Sequence, residues 1–210
     1  MTYPGISILA KDLLAESAVF ITGTDTSVGK THVACALLQE FHRRKIRAIG
    51  FKPICCGNRQ DALKFQKLSS GEMEIDFINP IHLPQPMAPA SQPCPAWTDL
   101  IRRIRKARIQ LIGKKNRILL TEGAGGLLCP ITHRHTMREL AVALKMPLLL
   151  VIHNRLGMLN HTLLTLEAAK ASGLKCFGLV VTHFGKKQNS VHRMNLKILK
   201  SLTSIPVYVV

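Results

Sequence analysis

The sequence predicts a single doubly wound α/β domain, a mostly parallel sheet with helices on both faces. Two observations carry that prediction. Short, uninterrupted apolar runs rich in Val, Ile and Leu recur from Ala18 to Val210, and segments with helically spaced apolar residues separate them. Strands that are apolar along their whole length are buried on both faces, as in a parallel sheet sandwiched between helices. The second observation is Gly23-Thr24-Asp25-Thr26-Ser27-Val28-Gly29-Lys30-Thr31, which follows Ala18-Val19-Phe20-Ile21 and precedes Val33, Ala34, Ala36, Leu37, Leu38 and Phe41 at helical spacing. Its glycines therefore lie between a strand and a helix.

Taken in order, residues 1–16 carry weak helical character and form an N-terminal extension, expected to be partly disordered, ahead of the domain at 17–210. The first strand, the glycine loop and the first helix run to about residue 44. Residues 47–52 make a second strand that delivers Lys52, followed by Pro53, at its carboxyl end, the edge where open α/β sheets bind ligands. Residues 55–61 read as a turn and 62–68 as a short helix, with Asp61 at the helix start as an N-cap or a metal ligand. The Pro-rich stretch from Pro80 to Pro95 reads as a functional loop or a rigid crossover connection. Residues 117–122 form an apolar strand ending in the carboxylate of Glu122, followed by Gly123-Ala124-Gly125-Gly126. The alternation continues with helix 136–145, strand 147–153, helix 160–171, strand 176–182, helix 189–202 and strand 206–210.

Composition narrows the function. With 210 residues and 47% hydrophobic content, the chain is long enough for one sizeable core. Its longest apolar segment, Pro147-Leu148-Leu149-Leu150-Val151-Ile152, is too short to span a bilayer, and the first ten residues lack the features of a signal peptide. A soluble, cytoplasmic protein with no membrane partner is expected. The six cysteines form no C-x-x-C pair, which argues against a zinc site and a disulfide framework. His133 and His135 could face one side of a strand, but no third ligand follows, so they read as loop histidines. The net charge of +17 raises a polyanionic partner. Its densest source is Arg102-Arg103-Ile104-Arg105-Lys106-Ala107-Arg108, continuing to Lys114, Lys115 and Arg117, where Leu100, Ile101, Ile104, Ile109 and Leu111 keep a helical stripe. These charges read as the solvated face of an amphipathic helix. No aromatic residue is interleaved among them, so specific nucleic-acid binding is not indicated.

The glycine segment supplies the chemistry. Consecutive backbone N–H groups before a helix make a concavity for phosphate, the helix N-terminus adds positive potential, and Lys30 reaches the outer phosphates. Thr31 would place its hydroxyl on Mg²⁺. The spelling differs from G-x-x-x-x-G-K-[ST], since Gly23 lies one residue early and Thr24 holds the first glycine's place. Glu122, ending a neighbouring strand, is placed to give an acid to the metal, and the glycines after it allow close approach of backbone to ligand. The fold is thus expected to be of the phosphate-loop nucleoside-triphosphatase kind.

Gly23-Thr24-Asp25-Thr26-x-Val28-Gly29-Lys30-Thr31, Lys52-Pro53, Asp61-Ala62-Leu63, Glu122-Gly123-Ala124-Gly125-Gly126 and Gly157-x-x-Asn160-His161, in this order, resemble the dethiobiotin synthetase family from about Val19 to the last residue. The lengthened phosphate loop is itself a feature of that family. The resemblance implies ATP- and Mg²⁺-dependent closure of diaminopelargonate with CO₂ into the ureido ring of dethiobiotin, by a homodimer. It implies Lys30, Lys52 and Thr26 as the groups that act on the transferring phosphoryl group and carbamate. It places Ser27, Val28, Gly29, Lys30, Thr31 and His32 on the nucleotide, with Asp61, Glu122, Gly123, Ala124 and Gly125, and Thr182 and His183 at the base. Thr31, Asp61 and Glu122 would hold Mg²⁺. Cys56 and Gly125, with Gly157, Met158, Leu159 and Asn160 partly from the second subunit, would bind the substrate.

The chain departs from the family pattern at several of these positions. Ser27 replaces an acid, and Cys56 stands where a substrate-contacting serine is usual, so a weaker thiol replaces a hydroxyl donor. Met87-Ala88-Pro89-Ala90 lacks the usual serine and histidine. Thr182-His183 replaces an Asn-Asp pair that reads adenine, and the sequence ends before the loop that completes the base pocket, so relaxed nucleotide choice is expected. The competing reading is a non-catalytic or regulatory phosphate-loop ATPase module. Lys52-Pro53 and Gly157-x-x-Asn160 favour the synthetase, because a switch ATPase has no need of a nest for a substrate carboxylate.

Overall fold

The protein is described from a computed structural model covering residues 3–70, 73–113, 117–183 and 189–210. In chain order its elements are α1 (Pro4–Asp12), β1 (Ala18–Gly23), α2 (Lys30–Arg43), β2 (Ala48–Phe51), β3 (Ile54–Cys56), α3 (Gln60–Leu68), α4 (Ile75–Ile78) and β4 (Ile81–Leu83). There follow α5 (Trp97–Ile112), β5 (Ile118–Glu122), α6 (Met137–Leu144), β6 (Leu148–His153), α7 (Met158–Lys170), β7 (Cys176–Thr182), α8 (Ser190–Leu202) and β8 (Val207–Val209).

The principal sheet runs β2-β5-β1-β6-β7-β8 and every neighbouring pair is parallel. β1 and β5 are buried throughout, as their unbroken apolar runs predict. Register brings Ile21 beside Glu122, and Gly23 beside Val151. The loop after β1 and the acid ending β5 therefore leave the same edge of the sheet. α2 covers the sheet with Val33, Ala34, Leu37, Leu38 and Phe41, a stripe of helical period.

α5 bears out the amphipathic reading of the basic stretch except at Ile109, which is 68% exposed while Ala107 takes its place on the buried stripe. Leu100, Ile101, Ile104, Ala107 and Leu111 are buried while Arg102, Arg103, Arg105 and Lys106 are exposed. Arg105 and Arg108 also donate to the carbonyls of Ala143 and Leu144, which end α6 and have no partner within their own helix. Lys114 and Lys115 lie outside the described residues. No helix among the described residues is long and apolar enough to cross a membrane.

Two expectations are corrected. Cys55 and Cys56 are not in a turn: Pro53 ends β2, and the chain leaves the principal sheet to form β3, which pairs in parallel with β4 from the Pro-rich stretch. A strand of three residues carries too little periodicity to be read. Residues 3–16 are also not loosely ordered; Met1 and Thr2 lie outside the described residues. Pro4 opens α1 at a position where its missing N–H costs nothing, and Ile6, Leu9, Ala10 and Leu13 form a buried stripe. Gly5 packs so closely on β8 that a Cβ there would lie 2.1 Å from the Val209 carbonyl oxygen.

Polar bonds complete the docking of α1. The Ser7 hydroxyl donates to Glu40 Oε1 at 3.0 Å, and Arg44 donates to that oxygen and to the Ser7 carbonyl, each at 2.7 Å. The Tyr208 hydroxyl donates to Asp12 Oδ2 at 2.8 Å. Glu40 is only 4% exposed. Hydrogen bonds from Arg43 foremost, then Arg44 and Ser7, outweigh its burial and hold its carboxyl down at about 2.

Glu40→Gln is expected to lower stability at pH 7 by about 2 kcal/mol, the worth of hydrogen bonds to a charged group. A depressed carboxyl stabilises the fold above its unfolded pKa of 4.5 and loses that contribution as pH falls toward 2. Urea denaturation should show the gap between variant and wild type complete above about pH 5 and closing below it.

Candidate active site

The loop between β1 and α2 folds over itself because Gly23 has no side chain: a Cβ there would lie 2.6 Å from Val28 Cγ2. Ser27 and Gly29 both adopt left-handed backbone, at φ 57° and 101°, the kind of conformation from which anion-binding nests are built. Serine pays a steric cost in this region that glycine does not, so the loop holds strain at Ser27. Lys30 is buried at the start of α2, and its ammonium donates to the Asp25 carbonyl at 2.8 Å. It is thereby held across its own loop. Burial pushes its pKa down to about 8, against the opposing pull of Glu122.

Across from the loop stands Glu122, 1% exposed. Its Oε1 accepts from the Thr31 hydroxyl at 2.9 Å and forms an ion pair with Lys52. Lys52 Nζ is also 3.6 Å from Asp61 Oδ2 and 3.4 Å from the Gly123 carbonyl. Burial works against the charge on Lys52, but Glu122 and Asp61 outweigh it and its pKa is raised. Glu122 Oε2 is buried and has no hydrogen-bond partner among the described residues.

These groups surround a cavity of about 610 Å³. It brings together Thr26, Ser27, Gly29, Lys30, Thr31 and His32 from the loop and α2, Lys52 and Cys56, Asp61, and Glu122, Ala124 and Gly125. Gly125, at φ 65°, sits against Cys129, whose sulfur would be 2.9 Å from a Cβ. Cys55, Cys129 and the turn at Pro86, Met87, Ala88 and Pro89 also line it. Sequence reasoning assigned no ligand contact to these, although it marked Met87-Ala88-Pro89-Ala90 as a departure from the family pattern; for Cys129 the nearest signal was the glycine run that lets it approach.

Other expected site residues lie elsewhere. Val28 is buried beneath the loop, and Gly123 donates its N–H to the Ile21 carbonyl at 3.0 Å. Thr182 is 1% exposed, with its hydroxyl 2.9 Å from the Val28 carbonyl and 3.2 Å from that of Ile152. It braces the phosphate loop from below rather than presenting its hydroxyl to a base. His183 packs edge-on against His192, their ring centres 5.5 Å apart. Burial foremost, then His192 and His153, keeps its pKa low. Gly157, at φ 86°, opens α7, which starts at Met158; Met158 is buried in the core and Asn160 is exposed. Residues Gly157, Met158, Leu159 and Asn160 do not line the cavity of their own chain.

Among the described residues no cluster of three or more His, Cys, Asp or Glu is arranged to hold a metal. His135 is stacked on Trp97 at 4.2 Å and its Nδ1 lies 2.9 Å from the Thr132 hydroxyl, so it serves loop packing. What the cavity does offer is the hydroxyls of Thr26, Ser27 and Thr31, two carboxylates and two ammonium groups beside the start of α2.

Fold and site together define a phosphate-loop nucleotide-binding protein. Solved structures of such proteins share the fold: the septum site-determining protein MinD of Pyrococcus horikoshii with Mg-ADP has a TM-score of 0.55 at 12% identity, covering 90% of this chain and 78% of that one. A plasmid partition protein of Borrelia burgdorferi bound to AMPPNP has a TM-score of 0.56 at 13% identity, covering 92% and 86%. Residues 17–209 match the AAA domain family. Relatives at higher identity are the ATP-dependent dethiobiotin synthetases of Akkermansia muciniphila, 32% identical over 89% of this chain and 88% of the relative, and of Alteromonas mediterranea, 38% identical over 90% and 88%. The chain belongs to the dethiobiotin synthetase family of ligases.

If Lys30 is the charge that draws phosphate into the loop, affinity for inorganic tripolyphosphate should hold steady near pH 7 and fall as pH rises through about 8, where the lysine loses its proton. Lys30→Arg should flatten that dependence, since guanidinium keeps its charge. Isothermal calorimetry across this range measures both.

Proposed function

We propose that this chain closes diaminopelargonate and CO₂ into dethiobiotin at the expense of ATP, releasing ADP and phosphate. Beyond family membership, one observation supports it best: the Lys52 ammonium, anchored by Glu122 and Asp61, faces the phosphate loop across the cavity. One amine of the substrate adds to CO₂ and forms a carbamate. A carbamate oxygen attacks the γ-phosphorus and ADP leaves; the second amine then attacks the carbonyl carbon and expels phosphate. The protein must hold two anions together and stabilise the charge that develops between them.

Lys30 neutralises the β- and γ-phosphates, Lys52 the carbamate and γ-phosphate, and Thr26 donates from the loop to the transferring group. Ser27, Val28 and Gly29 offer backbone N–H groups. Thr31, Asp61 and Glu122 would hold Mg²⁺. They suit a hard cation: all donate oxygen, the unpaired Glu122 Oε2 awaits a partner, and an ammonium already stands between the two carboxylates. The ion, when bound, neutralises phosphate charge.

Cys56 and Gly125 contact the substrate, and its carboxylate is taken by the N–H groups at Gly157, Met158, Leu159 and Asn160 of a second subunit. Supporting a homodimer, these residues lie off their own cavity, next to exposed Leu156 in sequence and to His161, which shares a surface pocket with exposed Leu128 and Leu164. Nucleotide choice is relaxed, in keeping with a Thr182 hydroxyl already committed to the loop. A cytoplasmic location accompanies this reading, consistent with six free cysteines.

Purified protein with diaminopelargonate, bicarbonate, Mg²⁺ and ATP should form dethiobiotin. Lys52→Ala should cut turnover on the order of a hundredfold or more, as loss of a pre-placed charge does, with nucleotide affinity little changed, while Lys30→Ala damages both. Absence of product, or small equal effects of the two variants, would sink the assignment. In the same assay GTP and CTP should support turnover within about a hundredfold of ATP, a gap of roughly 2.8 kcal/mol; a wider preference would rule out relaxed choice.

A further inference from the structure

β1 divides the principal sheet, with β5 and β2 on one side and β6, β7 and β8 on the other. Lys52, Asp61, Glu122 and Cys56 all belong to the β5–β2 side. A triphosphate anchored at Lys30 with its outer phosphate toward those groups carries its nucleoside the other way, toward the first turn of α2 and the ends of β7 and β8. His32 is the aromatic residue of that turn that lines the cavity, beside Lys30 and Thr31.

His32 meets an aromatic partner from the far end of the sequence. The rings of Tyr3 and His32 are 5.5 Å apart at 74°. Tyr3 is held in place by its neighbours: its carbonyl accepts the N–H groups of Ile6 and Ser7 at 3.0 and 3.2 Å, and Gly5 is seated against Val209. The adjacent Val210 carbonyl accepts the His183 N–H at 3.1 Å. The first turn of α1, the first turn of α2 and the ends of β7 and β8 thus converge on one corner beside the phosphate loop.

We infer that Tyr3 of α1, paired with His32, is the surface on which the nucleotide base stacks. An edge-to-face pair leaves a corner open, in which a planar base lies on one ring with its edge against the other. Tyr3 is 36% exposed, so part of its surface is open to a ligand. Stacking is indifferent to base identity because every base has a π-face. The helix that joins the N-terminus to the domain therefore adds affinity for the nucleoside without selecting its base. This rests on the phosphate-loop reading, and a binding measurement separates it from the ligase reaction.

Affinities of ATP, GTP, CTP and inorganic tripolyphosphate would be measured by calorimetry on wild type, Tyr3→Ala and Tyr3→Phe. Tyr3→Ala should weaken all three nucleotides about tenfold, the size of one base–aromatic stack, while tripolyphosphate is unchanged and Tyr3→Phe restores binding. Equal losses for tripolyphosphate and ATP would reduce Tyr3 to a structural role, and an unchanged ATP affinity would remove it from the site; either overturns the inference. A second test leaves the chain unaltered: photolabelling with 8-azido-ATP should mark the peptides carrying Tyr3 or His32, and labelling confined to other peptides overturns the inference as well. Dethiobiotin formation, assayed in parallel, reports on the reaction independently of either result.

Discussion

One carboxylate oxygen, Glu122 Oε1, joins the walls of the cavity. It takes the Thr31 hydroxyl from the start of α2 and the Lys52 ammonium from the end of β2, and its own strand, β5, lies between β2 and β1. Burying a carboxylate costs several kcal/mol unless it is paired and hydrogen-bonded. That cost makes the arrangement specific: removing any one partner leaves a charge or a donor stranded in the interior. The ion pair is weak evidence for stability, since apolar residues of similar size could replace it without loss. What it does is fix an ammonium opposite the phosphate loop before any ligand arrives, the pre-placed charge on which the proposed reaction would draw.

Sheet topology supplies the remaining constraint. β1 is central, and the loops after β1 and β5 emerge side by side at one edge. At the β8 end the sheet presents an edge strand, which proteins generally cover or blunt. Here α1 covers it, through Gly5 against Val209 and the Tyr208 to Asp12 hydrogen bond. The same docking brings Tyr3 to the ligand edge. Edge protection and the aromatic corner beside His32 are consequences of one packing event.

What could be read from the sequence follows from the range over which each signal acts. β1, β5, β6 and β7 were legible because strands buried on both faces are apolar at every position, and the phosphate loop because its glycines sit in register between strand and helix. The stripe of Ile6, Leu9, Ala10 and Leu13 was present but short and preceded by Pro4 and Gly5, and Gly5 is explained only by the docked structure. β3 and β4 are too short for any period, and their pairing depends on Pro53 diverting the chain. Cys129 enters the cavity through a close approach to Gly125, a contact between residues of a folded loop that local spacing does not encode. Thr182 shows the limit of position by resemblance. Its place at the end of β7 was anticipated, but side-chain direction sends its hydroxyl beneath the loop.

That hydroxyl has a part in how the loop binds anions. A phosphate cradle works only if donors, and not carbonyl oxygens, face the ligand. Two of the loop's carbonyls are occupied from outside the concavity or across it: Asp25 by the Lys30 ammonium and Val28 in contact with Thr182. The Asp25 carboxylate is turned away as well, paired with Arg155 at 3.1 Å and accepting the Thr26 N–H at 2.7 Å. The first N–H groups of α2 have no partner within the helix. Lys30 keeps two further donors after bonding Asp25, so it can hold the loop closed and take phosphate oxygens at once. With these two carbonyls engaged and the first N–H groups of α2 left without partners in their helix, the mouth of the loop favours an anion, and the strain at Ser27 is the cost of the left-handed turn on which the loop is built.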